Sequence, residues 1–122
     1  MGAALPAPAP FLVIFFYQST CPYCQAQSPV LKSIVMEQSL ASWAVSLDGL
    51  AMPDGLWPEW SHNPEAATLF NIQRVPAIGI VTRGGHFQTI AQGLQSEYEI
   101  EALLRAVNLW LNAQNPIREP QP

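Results

Sequence analysis

Both cysteines of the chain stand two residues apart, in Thr20-Cys21-Pro22-Tyr23-Cys24. Two intervening residues let both sulfurs reach disulfide geometry within one helical turn, so the pair has the spacing of a thiol–disulfide couple. The motif follows an apolar run, Phe11 to Tyr17, and precedes a segment that can be helical. A strand delivering cysteines to a helix start places them beside unpaired N–H groups and the positive end of the helix dipole, which favour a thiolate. Cys21 is therefore expected to be the low-pKa nucleophile. Pro22 suits the first helical position, which makes Cys21 the cap residue, outward and reachable. Cys24, inside the first turn, is expected to be the shielded resolving thiol. The chemistry predicted is attack of Cys21 on a substrate disulfide, giving a mixed disulfide that Cys24 or another substrate thiol resolves.

Two other uses of the pair fit less well. A structural zinc site needs four ligands, and the only other candidates are His62 and His86, which lack the close His-x(3–5)-His spacing of a finger. A purely structural disulfide would close so short a loop that it gains little loop-closure entropy. His62 and His86 read as exposed surface histidines rather than general bases, since titration near neutrality assigns no role by itself. Tyr23, beside the nucleophile, reads as a substrate contact and not a catalytic acid, because a phenol is a poor proton donor at neutral pH. Trp57 and Trp60 fit a substrate rim or a cap over the core; both are carried as substrate-contact candidates with Pro22 and Tyr23.

A chain of 122 residues makes one domain with a core of its own. Hydrophobic residues are 49% and charged residues 11% of the total, the balance of a globule and not of a disordered chain. The net charge of −4 argues against nucleic acid or an anionic membrane surface as partner. No apolar run is long enough to span a bilayer, so this segment is not expected to insert into a membrane. Residues 1–10, MGAALPAPAP, lack the basic and apolar regions of a signal peptide, and Pro6 stands where a myristoylation site needs Ser or Thr. They read as a stiff Ala/Pro linker, with the chain expected to begin after a removed targeting or anchoring segment and Met1 as an added start. Residues 113–122 read as a polar, proline-rich tail, which leaves a domain over 11–112.

The elements around the cysteines follow from patterning. Phe11 to Tyr17 is apolar on both faces, as a central strand of a sheet covered on both sides should be. A helix is expected from Pro22 to about Ser39 on Val30, Leu31, Ile34 and Val35, with Lys32 to solvent and a kink at Pro29. Ala44 to Leu47 is a short strand, and Leu50 to Asn63 a long irregular loop. Asn63-Pro64-Glu65 opens a short helix to about Phe70. Ala77–Thr82 and Phe87–Ala91 form a hairpin across Arg83-Gly84-Gly85-His86. Ser96 and Glu99 make a capping box for a helix to about Leu111, on Ile100, Leu103, Leu104, Val107 and Trp110. The expected fold class is α/β, β-α-β-α-β-β-α, with about four strands in a central mixed sheet flanked by helices.

Three features together make the chain resemble the thioredoxin superfamily: Cys21-Pro22-Tyr23-Cys24 after a strand, Pro29 five residues past the second cysteine, and Val75-Pro76 opening a later strand. The resemblance implies a cis Pro76 facing the cysteine pair, with the Val75 backbone able to pair with an extended substrate peptide. Within the superfamily, Phe15-Phe-Tyr-Gln-Ser-Thr-Cys-Pro-Tyr-Cys24, Val45-Ser-Leu-Asp-Gly49 and Val75-Pro-Ala77 look most like the TrbB and TraF group of F-type conjugative transfer systems. That implies a periplasmic disulfide isomerase or oxidoreductase acting on disulfide-bearing proteins of pilus assembly and secretion, recharged by a redox partner and needing no cofactor or metal. Two departures stand out. The buried acid of thioredoxins and strong periplasmic oxidases, six residues before the first cysteine, is here Phe15. The separate dimerisation domain of periplasmic isomerases is not expected here, so substrate is expected to be held by a monomer's own surface. Alternatives are a thioredoxin-like reductase, a glutaredoxin-like enzyme, which shares Cys-Pro-Tyr-Cys but usually has a basic residue before it, and a non-catalytic adaptor.

Overall fold

β1 (Phe11–Tyr17) is the middle strand of a five-stranded mixed sheet. The computed structural model describes residues 9–114, so most of the expected linker and most of the tail lie outside the described residues. After β1 come α1 (Pro22–Glu37), β2 (Ala41–Ser46), β3 (Trp60–His62), α2 (Pro64–Leu69), β4 (Ala77–Thr82), β5 (Phe87–Gln92) and α3 (Glu97–Ala113). The strand order is β3-β2-β1-β4-β5. β1 runs parallel to β2 and antiparallel to β4, and the β4–β5 hairpin closes one side.

Alternation along β1 sends its side chains into two cores. Phe11, Val13, Phe15 and Tyr17 pack with Leu31, Ile34 and Val35 of α1 and Ile100, Leu104 and Val107 of α3. Ile14 and Phe16 face the other way, onto Ala67 and Phe70. Every side chain from Val13 to Tyr17 is buried, which is why the strand reads as a continuous apolar run. Full burial of each such aliphatic or aromatic side chain contributes about 1.5–3 kcal/mol. Gly79 admits Phe70 to the sheet: a Cβ there would lie 2.7 Å from the Phe70 ring.

The structure departs from the sequence expectation in several places. Part of the expected Leu50–Asn63 loop, Trp60–His62, is a fifth strand pairing in parallel with β2. The order is therefore β-α-β-β-α-β-β-α. Three residues are too few to show a period, and this strand exists because β2 offers an edge. β2 itself starts at Ala41, since Leu12 pairs with Ala41 and the ladder extends it. α1 ends at Glu37, where Ser39 turns to a φ of 55° and the Leu40 N–H bonds back to the Val35 carbonyl. The helix continues across Pro29, whose side chain is exposed. Lys32 does not point freely to solvent: its Nζ lies 4.6 Å from the centre of a Trp57 ring. α3 has the expected capping box and runs on to Ala113. Trp110 is exposed and its ring lies tilted against His86, centroids 4.9 Å apart, so it is not a core residue.

Candidate active site

The chain leaves β1 at Tyr17 and turns at once, with the Cys21 N–H donating to the Gln18 carbonyl at 3.2 Å. Cys21 is the N-cap of α1, in extended conformation, and Pro22 follows in the first turn. The Cys24 N–H donates to Cys21 Sγ at 3.2 Å, so the sulfur takes the place of the usual capping oxygen. Both cysteines are free thiols, Cys21 half-buried and Cys24 0% exposed. Tyr23, between them, is 65% exposed, and Pro22 is exposed. One sulfur of the pair is reachable and the other is shielded, as the motif predicts.

Burial pushes the Cys24 thiol up to about 12, helped by its contact with Cys21 and by the charge of Asp48, while a bond from the Gln18 backbone acts in the opposite direction. A thiol that holds its proton more tightly in the folded than in the unfolded chain stabilises the fold below its ordinary value of 9.0, and that stability is lost as pH rises from there towards 12. The dithiol form is therefore expected to lose stability across this alkaline window more steeply than a Cys24→Ala variant. Urea titrations of both proteins at a series of alkaline pH values check this; parallel curves would contradict it.

At the position where thioredoxins bury an acid stands Phe15, 0% exposed and held between Tyr17 at 5.3 Å and Trp57 at 5.0 Å. Tyr17 is itself buried and donates its hydroxyl to the Leu50 carbonyl at 2.9 Å. An aromatic stack thus replaces an ionisable group under the site, and Cys24 shares one core with it.

The Val75–Pro76 peptide bond is cis. Ala77 pairs with Phe16, so the cis bond lies at the same end of the sheet as the turn into Cys21. Pro76 is buried, and the Val75 beside it, whose backbone was expected to pair with substrate, is half-buried. The Pro76 carbonyl accepts from Gly93 N–H at 2.7 Å. Gln27, fully buried one turn beyond Cys24, grips the next residues: its amide donates to the Gln95 carbonyl at 3.1 Å and accepts from the Gln95 N–H at 2.7 Å. The Gly93–Gln95 loop is thereby fixed beside Pro76.

Trp57 is 3% exposed and belongs to the core, so the structure removes it from the substrate rim. Its indole N–H donates to the buried Ser28 hydroxyl at 2.8 Å, which satisfies the one polar atom the ring carries. Trp60 is half-buried on β3, packing against the same core with part of its ring still open. Leu50, after Gly49, and Leu94, after Gly93, are exposed apolar side chains on loops tied to the site elements, the Leu50 carbonyl accepting from Tyr17 and the Gly93 N–H donating to the Pro76 carbonyl. The sequence signal was a glycine with positive φ followed by an apolar residue, legible only once the neighbouring strands are placed. Asp48 and Ser19 were also missed; the Ser19 N–H and hydroxyl donate to Asp48 Oδ2 at 2.9 and 2.7 Å.

His62 and His86 are both exposed. His86 sits by the β4–β5 turn, at the opposite end of the sheet from Cys21, since Phe11 pairs with Thr82. Among the described residues the one grouping of three or more potential metal ligands is Glu37, Glu97 and Glu101, which includes neither cysteine. A zinc site at the pair finds no third and fourth ligand there.

Solved structures share this architecture at low identity, which shows the fold. They include MTB dsbF, described in its mixed oxidized and reduced forms, at 19% identity over 81% of both chains with a TM-score of 0.64. A mutant thioredoxin from Halobacterium salinarum has 19% identity over 80% of this chain and 74% of its own, with a TM-score of 0.60. The exposed lipoprotein thioredoxin of Streptococcus pneumoniae has 16% identity over 78% and 84%, with a TM-score of 0.61. None of the curated proteins matches the chain. The family model of TraF, the F plasmid transfer operon protein, matches residues 9–104, and with that match, the thioredoxin fold and the Cys21–Cys24 pair at the head of α1, the chain belongs to the TraF family.

Proposed function

We propose that the protein is a periplasmic thiol–disulfide oxidoreductase working chiefly as a disulfide isomerase on extracytoplasmic proteins of a conjugative pilus or secretion assembly. The observation that carries this reading is the asymmetry of the pair: Cys21 Sγ caps a helix and is reachable, while Cys24 is fully buried and holds its proton tightly. Membership of the TraF family supports the setting. Among the described residues no helix is long and apolar enough to cross a membrane.

The Cys21 thiolate attacks one sulfur of a client disulfide, forming Cys21–S–S–client and releasing the other client sulfur as a thiolate that takes up a proton. Two exits follow. If Cys24 loses its proton and attacks Cys21, the pair becomes a disulfide and the client leaves reduced by two electrons. If a different client thiolate attacks the client-side sulfur, Cys21 is released and the client keeps its oxidation level with a new pairing. The tightly held Cys24 proton slows the first exit and favours the second. After the first exit a redox partner must return the pair to the dithiol. Pro22, Tyr23, Leu50 and Leu94 offer the client contacts, with the Val75 backbone as a strand edge, and a monomer suffices.

The test is to equilibrate the protein with glutathione buffers and then assay refolding of a scrambled multi-disulfide client. Rescue of the client with an intermediate potential is the expected result. A potential as low as that of thioredoxin, about −270 mV, with no rescue would make the protein a reductase. No thiol–disulfide exchange at all would make it an adaptor.

A further inference from the structure

The turn between β1 and Cys21 is held from outside by a single carboxylate. Asp48, just past the end of β2, accepts the Ser19 N–H at 2.9 Å and the Ser19 hydroxyl at 2.7 Å on Oδ2. Its Oδ1 lies 3.0 Å from the Ser46 hydroxyl and accepts the Leu50 N–H at 3.3 Å. Ser19 is buried, and its carbonyl accepts the Gln25 side-chain amide of α1 at 2.9 Å. The three residues that carry β1 into Cys21 are therefore clamped between the end of β2 and the first turns of α1. The carboxylate itself is exposed yet held below the usual range, because hydrogen bonds from Ser19, Ser46 and Leu50 outweigh the effect of its partial burial. It stays charged wherever thiol chemistry runs.

We propose that Asp48 is a positioning residue of the dithiol site, fixing through Ser19 the turn that presents Cys21 and setting by its negative charge how the mixed disulfide divides between Cys24 and a client thiol. This deepens the proposed function and rests on it. The groups acting on Cys24 are Cys21 of α1, the Gln18 backbone of the turn and Asp48 past the end of β2; Asp48 and Asp54 act on Tyr17, and Lys32 lies over Trp57. Asp48, tied to the turn before Cys21 through Ser19, is the ionised group of this set that opposes a second negative charge at Cys24, an effect smaller than burial and the contact with Cys21. With Phe15 in place of a buried acid, nothing ionisable from β1 at that position takes over the control. Removing the Asp48 charge should therefore speed the step in which Cys24 gives up its proton, attacks Cys21 and expels the client thiolate.

The experiment uses Cys21 loaded as a mixed disulfide with a cysteine-containing peptide and follows peptide release by stopped flow against pH. Asp48→Asn is expected to release the peptide about threefold faster at a given pH in low salt, with the profile displaced to lower pH, a size set by one charge acting through a solvent-screened path. Ser19→Ala keeps the charge and removes one bond of the clamp; it should lower the melting temperature but keep the wild-type pH midpoint. Wild type alone also reports, because raising salt from about 0.01 M to 1 M cuts the Debye length from about 30 Å to 3 Å and should accelerate its release. An Asp48→Asn profile superimposable on wild type, or a wild-type rate indifferent to salt, would overturn the proposal. An equal midpoint shift in Ser19→Ala would overturn the role of charge and leave only loop geometry. Failure of wild type to form the mixed disulfide on Cys21 would instead count against the parent reading.

Discussion

Trp57→Ala is expected to lower the stability of the fold by about 3–5 kcal/mol, the range for truncating a buried aromatic. The indole is 3% exposed, packs 5.0 Å from Phe15, and lies beneath Lys32. It also donates to Ser28, whose hydroxyl in turn lies 2.6 Å from Asp54 Oδ2. Truncation would open a cavity under the dithiol helix and leave the buried Ser28 oxygen without its donor. Trp57→Phe keeps most of the volume and loses the hydrogen bond, so its cost should be nearer 1 kcal/mol. Urea unfolding measures both. Because Trp57 is not at the surface, activity per folded molecule should fall alike, if at all, on a small disulfide reagent and on a misfolded protein. A selective loss on the protein client, with stability unchanged, would restore the tryptophan to the substrate rim.

What could be read from the sequence was whatever a short window contains. The cysteine spacing, Pro22 after the cap and the Ser96–Glu99 capping box are local devices, and each is found in place. The apolar run Phe11 to Tyr17 also sufficed, because a strand covered on both faces needs no particular register to look hydrophobic. What was not legible depends on contacts between distant segments. Trp60–His62 is a strand only because β2 presents a free edge, and Trp57 is buried by packing against Phe15 and bonding to Ser28, both distant in sequence. Asp48 stands in a local Asp-Gly pair, but its four hydrogen-bond contacts come from Ser19, Ser46 and Leu50, and the pairings with Ser19 span 29 residues. Pro76, placed beside the pair by the family pattern, is buried, with only the half-buried Val75 before it partly open. Gln27, a polar residue on α1, is buried because Gln95, 68 residues away, exchanges hydrogen bonds with it.

The two cysteines should separate by role when each is replaced. Cys21→Ser is expected to reduce exchange to the uncatalysed rate, since Cys24 is buried and its thiol is pushed up to about 12. Cys24→Ser is expected to retain part of the shuffling activity, because a client thiol can still release Cys21, and to accumulate the mixed disulfide that Cys24 would otherwise clear. The most direct measurement is peptide mapping by mass spectrometry of Cys24→Ser after incubation with a scrambled client under non-reducing conditions. The account predicts a client adduct on Cys21, released by dithiothreitol and absent from Cys21→Ser. No adduct on Cys21, or an equal yield of adduct on Cys24 in the Cys21→Ser protein, would contradict it.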